Sequence, residues 1–595
     1  MGAQPGDCID SNTFSLPNHE KENLSEEQSA ERIAQHFAEV SQQFLPLDVK
    51  TLPQNIQDKL RNCDSPPVVS ENDVYCNIRA ANKPRSGIPN DLPKVILQEF
   101  APELALPVSL IVNSIASTGE WPTQWKLEHI VPIGKIPQPQ SEDDLRPISL
   151  TAFFSKVAEH FVVMWLMNYI KDKIDFRQYG GAKGNSITHY IIEFINFILS
   201  CQDSTDQIAI LACMVDFSKA FNRQNHAILI SKLSQMGVPG WLLKIVIGFL
   251  SNRKMFVKFK GKHSSTKSLP GGGPQGTLLG LLLFIVLIND VGFSGQVNNT
   301  GELITSKRNM RTINEIHLKY VDDLTLAEAI NLPDKLKFIP GNVRPRPDQF
   351  HARTGHVMPN QMENSRVMKQ LAKTQQYAQD NDMKINLKKT KAMLFNPCTS
   401  IDFVPELVID DQEIEVVEEM RLLGIIITSD MKWSANTLNM VTRAYQKLWV
   451  LRRLKKSGAK TVDLVDIYCK QVRSLLELAV PAWNGGITVE ERMDIERVQK
   501  SACHIILGDS YASYRSALID LDLESLAVRR NNLSLKFAIK AEKHPKHRNW
   551  FKLNTKTTYT RQSKSKYKEV FTKHSRFQKS SLSFLTGLLN KKYCK

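Results

Sequence analysis

Two segments decide the fold: IAILACMVDFSKAFNRQNH (208–226) and HLKYVDDLTLAEAI (317–330). The first opens with an apolar run of strand length that ends at Asp216. The second has apolar residues on both sides of two adjacent aspartates, Asp322 and Asp323, and this pattern predicts a β-hairpin with the acids at its tip. In both segments an apolar strand meets polar sequence at a carboxylate, where a sheet can present that side chain to a cleft.

Carboxylates from different strands can hold two Mg²⁺ ions about 3.5–4 Å apart, which activate an attacking hydroxyl and stabilise a leaving pyrophosphate oxygen. A lone aspartate after a strand is more often a turn residue, and an isolated YxDD is a weak signal. The order and nature of the surrounding segments therefore decide between the two interpretations.

Nine segments follow one another in a recognisable order. They are KPRSGIPNDLP (83–93), WKLEHIVPIGK (125–135) with DLRPISLT (144–151), QYGGAKGNSITH (178–189), MVDFSKAFNRQNH (214–226), GGGPQGTLLGLLLFIVLIND (271–290), YVDD (320–323), MKINLKKTKAMLF (383–395), LLGIIIT (422–428) and VPAWNGGITVEERMDIERVQKSACHIILG (480–508). Together, over roughly residues 25–510, they resemble the reverse transcriptase of LINE-type, jockey-like non-LTR retrotransposons. The resemblance is specific because so many motifs occur in the same order.

The resemblance implies an α+β, right-hand polymerase fold with fingers, palm and thumb and a helical C-terminal region. We expect an N-terminal linker and helix (1–74), fingers and palm (75–430), a helical thumb (431–510) and a basic nucleic-acid-binding extension (511–595). The implied activity is RNA-directed DNA synthesis from a primer 3′-hydroxyl, with an RNA template, a DNA primer, deoxynucleoside triphosphates and two Mg²⁺ ions.

The resemblance also gives roles to individual residues. Asp216, Asp322 and Asp323 match the metal-binding catalytic triad, with the backbone carbonyl of Phe217 as a further metal ligand. The other matching positions bind substrate or transfer a proton: Lys135 and Arg146 for the triphosphate, Phe221 against the sugar 2′ position, Gln275 for the incoming nucleotide, and Lys389 as the catalytic acid that protonates pyrophosphate.

Each of these roles has a physical reason and an alternative. Arg and Lys neutralise phosphates as a planar fork and a point charge, respectively. A ring at Phe221 would clash with a 2′-hydroxyl, although the same ring could simply pack in the core. Lys389 has Lys388 and Lys391 beside it, so a solvated charge cluster is an equally good interpretation of that lysine.

Several positions depart from the family pattern. Asn222 stands where Asp is usual, Gly271-Gly272-Gly273 where Arg-Gly-Val is usual, Leu281 where Pro is common, and Val321 where Ala is usual. A proline-rich insert at 331–365 is longer than expected. These departures keep a second hypothesis open, a decayed relict that binds nucleic acid without copying it. A palm-type polymerase that makes RNA is a third hypothesis, which Phe221 disfavours.

Charge points to a polyanionic partner. The chain carries a net charge of +16, and from residue 540 onward 16 Lys and Arg stand against Glu542 and Glu569 alone. Aromatic residues are interleaved with these cations, among them Trp550, Phe551, Tyr559, Tyr567, Phe571 and Phe577. Cations for phosphates and rings for bases predict a nucleic-acid-binding tail; a merely solubilising, disordered tail is the alternative.

The remaining observations limit the classes of protein. The longest apolar run, 278–288, is far shorter than the roughly 20 residues of a membrane span, and the N-terminus has no secretory pattern. We therefore expect no membrane partner and an intracellular protein of cytoplasm and nucleus, not a secreted one. Nothing before residue 25 resembles the endonuclease of full-length elements, so we expect a fragment, a truncated copy or a separate reading frame.

Overall fold

The structure is a computed structural model that describes residues 14, 16–80, 92–136, 138–204, 208–291, 315–331, 365–396, 407–409, 412–554, 565–570 and 575–593. Its α-helices are Pro17–Lys21, Glu26–Glu39, Gln54–Arg61, Glu71–Ala80, Lys94–Glu99, Ala101–Thr118, Phe153–Ile170, Ile187–Ser204, His226–Gln235, Gly240–Leu250, Leu278–Leu287, Arg366–Asp380, Ser434–Lys456, Thr461–Ile467, Ser474–Leu476, Val480–Trp483, Val489–Leu507, Tyr514–Asp520, Leu526–Lys543, Ser575–Gln578 and Ser581–Tyr593. Its strands are Leu127–Gly134, Leu145–Leu150, Ile208–Val215, Arg253–Phe259, Lys262–His263, Lys267–Leu269, Glu315–Tyr320, Asp323–Asn331, Lys391–Phe395, Val408–Ile409, Gln412–Glu413, Glu419–Leu422 and Ile425–Thr428.

The palm sheet has four antiparallel strands in the order Glu315–Tyr320, Asp323–Asn331, Ile208–Val215 and Lys391–Phe395. Ile208–Val215 lies between two partners and is buried almost throughout, which explains why its sequence is a continuous apolar run. The predicted strands and the predicted YVDD hairpin are confirmed.

The fingers sheet joins Leu145–Leu150, Leu127–Gly134, Arg253–Phe259 and Lys262–His263 in this order, and Lys267–Leu269 also pairs with Arg253–Phe259. Its first two strands pair antiparallel, whereas Leu127–Gly134 runs parallel to Arg253–Phe259. The glycine-rich segment 271–276 leads into the buried helix Leu278–Leu287.

The N-terminal helix Glu26–Glu39 packs on the fingers sheet. Ser25 and Gln28 form a capping box, which fixes where the helix begins. Ile33 and Phe37 lie in one apolar cluster with Val257 and other residues of the fingers strands. The predicted boundary at residue 74 stays a prediction, but this helix is integral to the fingers.

The region after the palm is helical, as expected for the thumb at 431–510, but its helices differ in length. Ser434–Lys456 and Val489–Leu507 are long, but the middle one is broken into short pieces. A π-helical turn spans Tyr468–Arg473, and Ala479 adopts a left-handed conformation at φ +48°. The segment LLGIIIT belongs to a hairpin: a turn at Leu423 and Gly424 joins the strands Glu419–Leu422 and Ile425–Thr428.

The basic tail is folded where the structure describes it. Ser581–Tyr593 packs on the helices Ile187–Ser204 and Leu526–Lys543. Phe551 and Tyr567 are only 5% and 3% exposed, and Trp550 Nε1 donates to Glu193 Oε2 at 2.8 Å. Phe551 and Tyr567 therefore cannot stack on bases as expected, because they are buried in a protein core, whereas nucleic-acid binding by the tail stays a prediction.

Parts of the predictions for the tail and the insert concern residues that the structure does not describe. Tyr559 and Phe571 lie outside the described residues, as does the proline-rich insert apart from its two ends. Among the described helices, none combines the length and the apolar character needed to cross a bilayer.

The buried ring of Phe551 gives a test of the folded tail. Phe551→Ala should lower the free energy of unfolding by about 3 kcal/mol, because a large buried side chain leaves a cavity. Chemical denaturation measures this effect, and Leu553→Ala, whose side chain is 63% exposed, is the control. Unchanged stability with weakened RNA binding would instead place the Phe551 ring on nucleic acid.

Candidate active site

Strand register brings the three predicted carboxylates together. Val215 pairs with Leu324, so Asp216, which follows one strand, and Asp323, which begins the next, lie at the same end of the palm sheet. Asp323 pairs in turn with Tyr320 across the hairpin, so Asp322 lies in the turn itself. The antiparallel register of these strands therefore places the three carboxylates at one end of the sheet.

These carboxylates repel one another in a poorly solvated place. Burial raises the pKa of Asp322, the nearby Asp216 raises it further, and Arg146 opposes the shift. Burial also raises the pKa of Asp323 to about 6, with added repulsion from Asp322 and Asp216. Such a group favours a bound cation, because positive charge would offset both the repulsion and the lost hydration.

The segment at 383–390 supports Asp216 through its backbone. Asp216 N donates to Thr390 Oγ1 at 3.3 Å, and its carbonyl accepts from Asn386 N at 2.7 Å. The next residue, Phe217, is buried and forms a bridge with Ile385. Phe217 is therefore beside the carboxylates, as expected for the predicted carbonyl ligand, whose role stays a prediction.

Gln178 holds the YVDD turn, a role that the sequence did not reveal. Its Oε1 accepts from Val321 N at 3.0 Å and from Gly180 N at 2.9 Å. Val321 has a φ of +58°, a strained conformation for a β-branched residue. A Cβ on Gly180 would lie 2.5 Å from Val321 Cγ2, so this glycine makes room for the valine. Only the glycine in QYGG hinted at such a close approach.

The predicted cations face the same region. The pKa of Lys135 is lowered to about 8, chiefly by burial and then by the nearby charges of Lys389 and Arg146. Lys135 is also fixed in place, because its backbone N donates to Asp144 O at 2.7 Å and its Nζ to Asp143 O at 2.5 Å. Lys135 and Arg146 from paired fingers strands thus meet Lys389, from a distant segment, beside the carboxylates.

A cavity of about 220 Å³ connects Lys389 with the acids. Asp216, Asp323 and Lys389 line it, together with the hairpin strand Glu419–Leu422. Of the neighbouring lysines, Lys391 also lines the cavity but is paired with Glu415. Because Lys389 lines the same cavity as the acids, its position favours a role in the site over a solvated surface charge. Its role as a catalytic acid stays a prediction.

Phe221 and Gln275 belong to two turns that are bonded to each other. Gly273 N donates to Phe221 O at 2.9 Å, and Ser149 N in the fingers donates to Gln275 O at 2.9 Å. The Phe221 ring stacks on Phe284 with centroids 4.6 Å apart, and is only partly buried. The ring is therefore supported from behind by the core and still partly open, which fits both of its interpretations.

The donor chemistry fits Mg²⁺. Within the described ranges, no three His, Cys, Asp or Glu side chains converge closely enough to hold a metal ion together. Mg²⁺ does not require this, because it keeps several waters and is usually bound by one or two carboxylates plus substrate phosphates. Hard oxygen donors that are buried and mutually repelling are the residues such an ion would use.

The raised pKa of Asp323 predicts how stability depends on pH without metal. Because the folded-state pKa of about 6 lies above its ordinary value, the wild-type protein loses stability as pH rises from about 4 through 6. In EDTA, Asp323→Asn should therefore raise the free energy of unfolding at pH 8, by on the order of 2 kcal/mol. The gain should fade at pH 4.5.

Denaturant unfolding at the two pH values measures this difference. Asp520→Asn, at an exposed position, is the control and should show no such gain. An Asp323→Asn protein less stable than wild type at pH 8 would show that the carboxylate stabilises the fold.

Comparison with known proteins agrees with this arrangement. Residues 136–336 match the family model of reverse transcriptase (RNA-dependent DNA polymerase), a stretch that contains the three acids. A probable RNA-directed DNA polymerase from transposon BS of Drosophila melanogaster is 30% identical over 196 residues, which are 31% of this chain and 21% of that protein. An RNA-directed DNA polymerase from mobile element jockey of the same species is 28% identical over 187 residues, 31% of this chain and 20% of that protein.

The match therefore spans about a fifth of the length of these relatives. Among solved structures, a truncated apo telomerase from Candida tropicalis aligns with a TM-score of 0.31 and 12% identity, over 52% of this chain and 54% of that one. The matching family model and the named relatives agree with the resemblance found in the motifs. Residues 136–336 are thus similar to reverse transcriptase domains, and the relatives that match this chain in part are RNA-directed DNA polymerases of a transposon and a mobile element.

Proposed function

We propose that this chain is an RNA-directed DNA polymerase that extends a primer 3′-hydroxyl on an RNA template with deoxynucleoside triphosphates. The observation that carries the proposal is the meeting of three carboxylates and three cations at one edge of the palm sheet. Anionic side chains that attract metal, next to cationic side chains that attract phosphate, suit the transfer of a nucleotidyl group.

The incoming nucleotide would bind between fingers and palm. Lys135 and Arg146 would neutralise its triphosphate, since both lie near the acids and Lys135 is anchored through its backbone. Gln275 would contact the nucleotide from the turn that is bonded to the fingers strand. Phe221 would lie against the sugar, where its ring leaves no space for a 2′-hydroxyl.

In the reaction, the primer 3′-oxygen attacks the α-phosphorus, and the bond from that phosphorus to the bridging oxygen of pyrophosphate breaks. The hydroxyl proton leaves to solvent, and pyrophosphate departs with a proton from Lys389. Asp216, Asp322 and Asp323 would hold two Mg²⁺ ions, with the Phe217 carbonyl as a further ligand; such ions activate the hydroxyl and stabilise the leaving oxygen. Because these residues are anchored through backbone hydrogen bonds, little reorganisation is needed.

The primer would approach through the cavity beside the hairpin of Glu419–Leu422 and Ile425–Thr428. Past the hairpin, the helix Ser434–Lys456 exposes Tyr445 and Trp449 on one face, and Arg453 lies over the Trp449 ring at 5.5 Å. Aromatic faces with adjacent guanidinium groups suit a nucleic-acid backbone and its sugars. We assign the track of the primer–template duplex to this hairpin and helix.

The decayed relict remains the second candidate, motivated by the departures from the family pattern. Against decay stand the contacts of two of the departing residues: Gly180 accommodates Val321, and Asn222 Nδ2 donates to Phe37 O at 3.4 Å. For the compartment we propose cytoplasm and nucleus, since an RNA template and genomic DNA are met there. The basic tail would add to the binding of RNA.

Asp322→Asn separates catalysis from binding. The substitution removes one anionic ligand but keeps the shape of the side chain, so DNA synthesis should be lost while RNA affinity stays within about twofold. Primer extension with Mg²⁺ and a filter-binding titration measure the two properties, with Asp520→Asn as the exposed control. Equal loss of synthesis and RNA binding would mean that the acids are structural.

Phe221→Ala tests the contact with the sugar. Removing the ring should admit ribonucleotides, so the preference for deoxynucleotides should fall by at least about tenfold in kcat/KM. Phe221→Tyr keeps the bulk and should keep the preference. Because Phe221 also stacks on Phe284, thermal unfolding of both variants is measured alongside. An unchanged sugar preference in a folded Phe221→Ala protein would leave core packing as the role of the ring.

A further inference from the structure

Residues 36–44 comprise the end of the helix Glu26–Glu39 and the residues that follow it. They contact both turns of the proposed nucleotide site, the one that carries Phe221 and the one that carries Gln275. His36 Nε2 lies 3.2 Å from Lys219 Nζ, and Phe37 O accepts from Asn222 Nδ2. Farther along, Ser41 and Phe44 contact Gly271. A segment more than 170 residues away in sequence is therefore a wall of the site rather than a linker to it.

Ser41 is hydrogen-bonded to both backbone groups of Gly271. Its Oγ donates to Gly271 O at 2.5 Å and accepts from Gly271 N at 3.1 Å, and the side chain is 2% exposed. One hydroxyl thus satisfies two buried backbone groups that would otherwise lack partners in an irregular loop. Loss of this hydroxyl would leave both groups unsatisfied, which costs more than an ordinary hydrogen bond contributes.

Phe44 occupies the space that a side chain at position 271 would need. A Cβ there would lie 2.4 Å from Phe44 Cδ2 and 2.7 Å from its Cγ. The arginine that the resemblance leads one to expect at this position has no room while Phe44 is present. The glycine is therefore matched to the phenylalanine, not simply a lost cation.

The two following glycines interlock with the turn that carries Phe221. A Cβ on Gly272, whose φ is +81°, would lie 3.1 Å from Asn222 O, and one on Gly273 would lie 2.7 Å from Gln224 Nε2. His226 Nε2 lies 2.7 Å from Gly272 O. The loop 271–275 is thus hydrogen-bonded at its start to Ser41, in its middle to the turn that carries Phe221, and at Gln275 to the fingers strand.

From these contacts we propose that Ser41 and Phe44 are positioning residues for the nucleotide site. They set the loop 271–275, and through it Gln275, against the incoming deoxynucleotide. The inference rests on the proposed polymerase function. It extends the site to Ser41 and Phe44, which precede the first quoted motif of the resemblance at 83–93. Neither residue touches the reacting atoms, so their effect is on nucleotide binding.

A matched pair of variants isolates the hydroxyl of Ser41. Ser41→Thr and Ser41→Val have the same shape, but only threonine can bond to Gly271. In primer extension, Ser41→Val should raise the KM for deoxynucleotide about fivefold over Ser41→Thr, with kcat changed less than about twofold. Equal KM values for the two variants would overturn the role of the hydroxyl.

A double-mutant cycle tests the match between Phe44 and Gly271. Gly271→Arg alone should lower the thermal midpoint and raise the nucleotide KM, whereas Gly271→Arg in a Phe44→Ala background should do so less. The same penalty in both backgrounds would overturn the proposed packing. If the wild-type chain makes no DNA, the polymerase function fails, while the thermal midpoints of the four proteins still decide the contact itself.

Discussion

The mutual repulsion of three carboxylates held at one edge of an antiparallel sheet is the constraint around which this structure is built. The pairing of Ile208–Val215 with Asp323–Asn331 leaves Asp216 and Asp323 side by side, and the turn adds Asp322. Nothing about folding favours such a group, since each carboxylate loses hydration and gains a like-charged neighbour. The surrounding structure must therefore supply the stability that the site itself does not.

That support comes from fully packed strands and a buried ionic network behind the turn. Lys319, in the strand that leads into the YVDD turn, is buried and pairs with Asp175 at 2.8 Å, and Arg177 binds the same carboxylate. Burial lowers the pKa of Lys319 to about 8, with Asp175 opposing the shift. Gln178, the neighbour of Arg177, clamps the turn itself. Removing one member of such a buried pair leaves an uncompensated charge, so the network fixes the hairpin in one position.

Much of the fold could be predicted because its signals are local. The apolar run before Asp216, the paired aspartates and the Ser25–Gln28 cap each specify their own element, and register then brings the acids together. The broken middle helix of the thumb could not be predicted, because tertiary packing and not local sequence determines its π turn and the left-handed Ala479. The burial of Phe551 and Tyr567 in the tail could not be predicted for a related reason: cations and rings have the same composition whether the rings contact bases or a protein core.

In the site, the sequence predicts the charged and aromatic side chains, but it does not predict the residues that hold them in position. Gln178, Ser41 and Phe44 act through backbone contacts and shape, which leave no mark on composition. The departures at Asn222 and Gly271–Gly273 looked like loss in sequence, and in three dimensions they are complementary to their neighbours. Complementarity of this kind supports a working site over a relict.

If the three acids form one metal-dependent polymerase site, nucleotide incorporation must depend on Mg²⁺. Single-nucleotide extension of a primer on an RNA template would be followed at saturating deoxynucleotide while Mg²⁺ is varied. A two-metal site predicts template-directed incorporation that is absent in EDTA and rises with Mg²⁺ more steeply than one ion allows. Tight RNA binding with no incorporation at any Mg²⁺ concentration would contradict it.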